Sequence, residues 1–299
     1  MLIAGSAQAV DWNAVKGKDV AVFYPGQASW EWALTESDHS GAKKFREGKN
    51  CSDCHRGEEA RIGNLIVSGK KLEPSPIPGK RGSFNVNVKT ASDGQRLYIR
   101  MEWPGSPGSG GPKMDPNWEV KATVLIDDGT LVEAKRAGCW GACHDDAIGM
   151  ASDKGNKLTK YLANSRTKIT RQGGDESYKP QAALDELMAK DSYLEYWQAH
   201  LNKGAPPKAT DGYILEKRHE NASAAVTAEG GFQNGTWVVV LSRALTGAGP
   251  NHKDIVAGKE YHLGIAIHED YAEHRFHDVS LGYSLVLGQG SADFVAASQ

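Results

Sequence analysis

Cysteine is scarce in this chain: four residues in 299, too few to staple a fold of this size with disulfides. An excess of one charge is missing as well. Lys and Arg total 35 against 37 Asp and Glu, a formal net charge of −2, which leaves no overall field to draw the chain to nucleic acid or an anionic membrane. No apolar run approaches the roughly 18 residues of a membrane-spanning helix, so direct insertion by helices is not expected. Internal repeats and low-complexity tracts are absent too. What remains is an ordinary globular composition, 39% hydrophobic and 24% charged, long enough for one large domain or two modest ones.

The few cysteines come in two tight pairs. Cys51-Ser52-Asp53-Cys54-His55 is a C-x-x-C-H motif. Two thiols one short turn apart can each add to one vinyl group of the same porphyrin. The next residue then lies beneath the iron, where the imidazole of His55 supplies an axial nitrogen. Cys139-Trp140-Gly141-Ala142-Cys143-His144 repeats the arrangement with one extra residue between the thiols. Gly141 can absorb that length, because glycine tolerates backbone angles closed to other residues. Trp140 offers the porphyrin an apolar wall. A zinc site through Cys51, Cys54, Cys139 and Cys143, or two disulfides, would use the same thiols but make both following histidines accidental. Histidine fills 10 of 299 positions, so two such accidents have a chance of roughly one in a thousand. The motifs therefore predict two covalently bound c-type haems, with His55 and His144 as iron ligands.

Three regions follow one another. Leu2, Ile3 and Ala4 followed by Ala7-Gln8-Ala9 read as the end of a signal peptide, making residues 1–9 an export remnant and the bacterial periplasm the expected location. Residues 10–80 form a mostly irregular and helical haem segment. Trp12, Phe23, Tyr24, Trp30 and Trp32 supply packing for a porphyrin, a short helix over 39–48 leads into Cys51, and the Gly-, Pro- and Lys-rich stretch 56–82 reads as irregular. Over 81–299 the hydrophobic period becomes two. Phe84, Val86 and Val88; Leu97, Ile99, Met101 and Trp103; Val120, Ala122, Val124 and Ile126; Trp237, Val239 and Leu241; Tyr261, Leu263, Ile265 and Ile267; and Val279 through Leu287 all alternate with other residues. The expected class is mainly β, an antiparallel β-sandwich carrying the second haem in the long connection after the strand at 119–127. A helix is expected over 181–201, with Leu184, Leu187, Met188, Leu194 and Trp197 on one face.

Each iron takes a sixth ligand or stays open. His39 can fold back over the first haem; the alternative is a helix-cap histidine beside Asp38 and Ser40. His277 shares parity with Val279, Leu281, Tyr283, Leu285 and Leu287, which turns it inward as a ligand for the second haem, or else as a hydrogen-bonded core histidine. His262 and His268 have the parity that faces solvent. Met101 points inward and is either core filling or the alternative second-haem ligand. The run His268, Glu269, Asp270, His274 and His277 has residue types suited to zinc or copper, without a preorganised spacing. Lys43, Lys44, Arg46, Lys49 and Arg56 around the first motif form a solvated face or a dock for an acidic redox partner.

The stretch Phe84–Trp103, the block Gly138–His144 and the closing Arg275-Phe276-His277-Asp278-Val279-Ser280 resemble the ethylbenzene-dehydrogenase-like haem-binding domain over roughly residues 80–299. That resemblance implies a β-sandwich otherwise holding a b-type haem through a methionine and a lysine, with Met101 and His277 at those places. The added thioether cysteines and His144 make this chain similar to a c-type branch preceded by a further haem segment. It also implies respiratory partners, such as a membrane quinol-oxidising cytochrome on one side and a terminal reductase on the other. The resulting expectation is a dihaem carrier of single electrons, both irons bound by two histidines, rather than an enzyme. The rival is a haem enzyme or gas sensor with one open iron, for which Asp145, Asp146 and the His268–His274 run would supply acid–base groups.

Overall fold

Every alternating stretch forms a strand in the computed structural model, which describes residues 10–108, 111–138, 141, 161–168, 178–249 and 251–298. The expected export remnant and Cys139, Trp140, Cys143, His144, Asp145 and Asp146 lie outside the described residues. The strands are β1 (Lys18–Phe23), β2 (Ser83–Ser92), β3 (Arg96–Pro104), β4 (Val120–Asp127), β5 (Leu194–Leu201), β6 (Lys208–Ile214), β7 (Arg218–Glu220), β8 (Thr227–Gln233), β9 (Thr236–Ala244), β10 (Glu260–His268), β11 (Asp278–Ser280), β12 (Tyr283–Leu287) and β13 (Phe294–Ser298). Successive side chains on a strand point to opposite faces. The alternation therefore places Val86, Ile99, Trp103, Val124, Trp237, Ile265 and their neighbours in one buried apolar core.

The strands run in the order β7-β6-β5-β4-β10-β11-β1-β2-β3-β9-β8, and β12 and β13 make a second bridge between β10 and β2. Pairing is antiparallel apart from the two contacts of β13. The sheet doubles over so that residues of β2, β3 and β9 meet those of β4, β5 and β10 across the core, a mainly β sandwich as the periodicity predicts.

Two long excursions leave this sheet. Phe23 at the end of β1 pairs with Ser83 at the start of β2, and the Tyr24 N–H donates to the Gly82 carbonyl at 3.0 Å. Residues 24–82 thus begin and end at one rung of a hairpin. They contain helices α1 (Trp30–Leu34), α2 (Ala42–Arg46), α3 (Cys51–His55) and α4 (Glu59–Val67). The second excursion joins β4 to its neighbour β5, whose Glu195 pairs with Ile126. It carries α5 (Val132–Ala137) and α6 (Gln181–Ala189) and includes the second cysteine pair.

Described residues of both excursions fold onto the outer face of the β4–β10 layer. There Leu125, Ala266, Val279 and Leu281 pack with Phe45, Cys51, Ala134 and Ala137 in a second apolar cluster. This is why β4 is buried at every position.

Four expectations are corrected. The single helix over 181–201 is α6 followed by β5, with Asp191 turning the chain at φ +53°. Leu194 packs in the outer cluster and Trp197 in the inner core, so a strand buried on both faces imitates the three-residue spacing of a helix. The stretch 56–82 is not wholly irregular, because α4 forms within it. The stretch 279–287 is two strands. A break at Leu281–Gly282 leaves Val279 and Leu281 outside and Tyr283, Leu285 and Leu287 inside. His262 does not face solvent. It is 8% exposed, because the outer face of β10 is covered.

Candidate haem-binding site

The first motif is a single helical turn. The Asn50 N–H donates to the Asp53 carboxylate at 3.0 Å, holding the start of α3. Cys51 is turned into the outer apolar cluster and Cys54 is exposed beside it. Burial pushes the Cys51 thiol up to about 12.

Next to α3 opens a cavity of about 430 Å³, walled by Phe23, Trp32, Phe45, Ile62, Leu65 and Leu281. That volume lies within the usual range for sites that take a sizeable organic ligand. His39 and His55 both line it, with ring centroids 6.0 Å apart. A metal–imidazole bond is about 2 Å long, so this spacing leaves room for one metal ion between the two rings.

The orientation of each ring is set by its other nitrogen. His39 Nδ1 donates to the Ala33 carbonyl at 2.9 Å, and His55 Nδ1 donates to the Glu58 carboxylate at 3.3 Å. A proton held at Nδ1 puts the lone pair on Nε2, which is how ligating histidines are commonly oriented. The paired histidines, the flanking cysteines and the apolar walls fit a haem.

The chain after α5 approaches the same place. Arg136 donates to the carbonyls of Phe45 and of Lys49, the latter at 2.7 Å, and its guanidinium lies 4.3 Å from the Phe45 ring centre. Trp30 packs edge-on against Phe45 at 5.0 Å. Gly138 sits at φ +74°, where an added Cβ would lie 2.5 Å from the Gly282 nitrogen, so no side chain fits. Gly141 is needed for space rather than for an unusual backbone angle: a Cβ there would lie 2.4 Å from that of Ala137 and 3.3 Å from the Trp30 ring. The two glycines that flank and interrupt the second cysteine pair are therefore held against the wall of the first motif.

The remaining candidates are dispersed. His277 is 6% exposed on the outer face just before β11, with its ring centroid 4.7 Å from that of His268. Its Nδ1 donates to the His274 carbonyl at 2.6 Å, and burial pushes its pKa down to about 4, leaving a neutral ring with its lone pair on Nε2. Met101 is fully buried in β3 between Val88 and Val239, within the inner core. The carboxylates of the His268–His277 run face other partners: Glu269 pairs with Arg81 and Asp270 accepts from the Ser106 hydroxyl at 2.6 Å. Among the described residues no three His, Cys, Asp or Glu side chains gather to hold a metal ion. Sequence reasoning missed Glu58, which stands at the start of α4, just past the end of the α3 turn that carries His55. It also missed Arg136 and α4, whose roles depend on contacts distant in sequence.

Fold and site together define a c-type cytochrome-like protein on a β-sandwich. Residues 209–280 match the ethylbenzene dehydrogenase family. Cytochrome c-552 of Stutzerimonas stutzeri is 37% identical over 99% of this chain and 93% of its own length. Cytochrome c-551 of Rhodocyclus tenuis is 29% identical over 97% of this chain and its full length. Among solved structures, a family 9 carbohydrate-binding module from Caldicellulosiruptor kristjanssonii in complex with cellotriose aligns over 66% of this chain and 64% of its own at 10% identity. Its TM-score of 0.30 is too low to carry an argument. The chain belongs to the family of the cytochrome c-552 of Stutzerimonas stutzeri, and it is an electron-transfer cytochrome.

Proposed function

We propose that this cytochrome works in the bacterial periplasm with two covalent haems. The first is held by Cys51 and Cys54, with His55 and His39 as axial ligands. The second is held by Cys139 and Cys143, with His144 and His277 as ligands and Trp140 against the ring. A haem closed by two imidazoles passes single electrons and presents no open position to a substrate.

The observation that carries this reading is the pairing of His39 with His55 across an apolar cavity, each ring tied through Nδ1. The protein's part is to hold both rings in place and to line the cavity with the apolar Phe23, Trp32 and Phe45. For the second haem, support comes from the neutral, Nδ1-tied state of His277 on the outer face. A membrane quinol-oxidising cytochrome would supply the electrons and a terminal reductase would receive them.

The test is absorption and electron paramagnetic resonance of the purified oxidised protein, repeated with carbon monoxide after reduction. Two low-spin signals and no carbon monoxide shift are expected. A high-spin signal that binds carbon monoxide would replace the carrier by an enzyme or gas sensor with one open iron.

A further inference from the structure

Trp30 is fixed by its neighbours on both sides in the chain. The Ser29 hydroxyl accepts from the Trp32 N–H at 3.2 Å and caps α1, and Glu31 makes a buried ion pair with Arg166. The indole is thereby held between the two cysteine motifs. On one side it meets Phe45 edge-on with ring centres 5.0 Å apart, and Phe45 lines the cavity that His39 and His55 share. On the other side, a Cβ built on Gly141 would lie 3.3 Å from a carbon of the indole, so the Gly141 backbone rests against the ring. Gly141 stands inside the second motif, two residues from Cys139 and two from Cys143.

Trp30 itself is not among the residues that line the cavity, so its place is not explained by contact with a group bound there. What it does is join a lining residue of the first motif to the backbone of the second. Electron tunnelling falls steeply with distance, and closely packed atoms carry it better than gaps do. Arg136 sets the character of this junction. Its guanidinium lies 4.3 Å from the Phe45 ring centre and 6.0 Å from that of Trp30. A cation over a ring face is attracted to the ring's electrons and holds them there. The indole therefore resists oxidation, and an electron crosses it without stopping as a radical.

We propose that the Trp30–Phe45 pair is the bridge through which the two haems exchange electrons within one molecule. In that step the ferrous haem of one motif loses one electron and becomes ferric. The ferric haem of the other motif gains it and becomes ferrous, and Trp30 is left unchanged. The inference rests on the reading that each cysteine pair carries a haem. A rival route runs from α5 through the Arg136 hydrogen bond to the Lys49 carbonyl and on to Cys51.

The experiment is pulse radiolysis of the oxidised holoprotein, with methyl viologen radical reducing a minority of the haems. His39→Met is used beside the wild type, because methionine ligation raises the potential of the first haem and draws the electron towards it. After the pulse the second haem should reoxidise as the first is reduced, at a rate independent of protein concentration. In Trp30→Leu, made in both backgrounds, that rate should fall several-fold, with haem absorption and both midpoint potentials unchanged. Trp30→Phe keeps a ring beside Phe45 and should retain most of the rate. A rate that scales with protein concentration overturns the bridge. A parental rate in Trp30→Leu overturns it in favour of the Arg136 route. Shifted potentials or spectra in Trp30→Leu, or a Trp30→Phe rate equally low, would make Trp30 a packing residue and overturn it too. Mass spectrometry of haem peptides from the same samples tests the underlying reading separately. Haem missing from either cysteine pair refutes that reading and the bridge together, whereas failure of the bridge alone leaves both haem peptides in place.

Discussion

The guanidinium of Arg136 is bonded to the carbonyl of Lys49, two residues before Cys51, although the two residues lie 87 apart in the chain. Through this bond α5, which leads directly to Cys139, is fixed to the segment that leads to Cys51. The approach to one cysteine pair is therefore built into the wall of the other.

Removing that clamp should loosen the first site. Arg136→Ala loses charged hydrogen bonds to two carbonyls and the stack on Phe45, at a cost of about 2 kcal/mol. Thermal unfolding of the holoprotein reads this as a lower Tm, with Arg136→Lys only partly restoring it because lysine lacks the planar fork. An unchanged Tm in the alanine variant would show that the clamp is not needed.

His39→Ala should convert one low-spin haem to high spin and create one carbon monoxide site per chain, leaving the other signal intact. His39→Met should restore low spin with a sulfur-to-iron band. Low-spin spectra identical to the wild type in His39→Ala would remove His39 from the iron.

Met101 sits in the inner core, so Met101→Ala should cost about 2–5 kcal/mol in denaturant unfolding, and Met101→Leu less than about 1.5. Neither should alter the haem spectra. A change of ligand field in Met101→Leu would return Met101 to the second haem.

Acid should weaken the fold through Asp128. Burial acts to raise its pKa, but hydrogen bonds from Lys253 and Lys259 hold it down to about 2 from the ordinary 3.8. A lowered folded-state value means the contribution is complete above the unfolded-state value and is lost as pH falls from about 4 towards 2. Unfolding free energies compared between pH 5 and pH 2 should drop by on the order of 2 kcal/mol more in the wild type than in Asp128→Asn. Parallel pH profiles would refute this assignment.

The inner core was legible because its strands are wet or weakly covered on one side, so Phe84-x-Val86-x-Val88 keeps a clean alternation. Where the excursions cover the outer face, that signal disappears. β5 is buried on both faces and reads as helix, and His262 has the parity of an exposed residue yet lies beneath cover. In the site, the cysteines and His55 were legible because their chemistry fixes their spacing. His39 was reached only as a choice, since what brings it 6.0 Å from His55 is a fold-back that no local period encodes.

The rung formed by Phe23 and Ser83 has a consequence for how the molecule is built. Each doubling of a loop's length adds only about 0.6 kcal/mol to the cost of closing it, so a hairpin can tolerate the whole of residues 24–82 between its strands. The inner core includes no residue from that excursion, nor any cysteine. The inner core can therefore close without any contribution from the segment that carries the first cysteine pair, so the scaffold and its pigment-bearing insert are separable in packing.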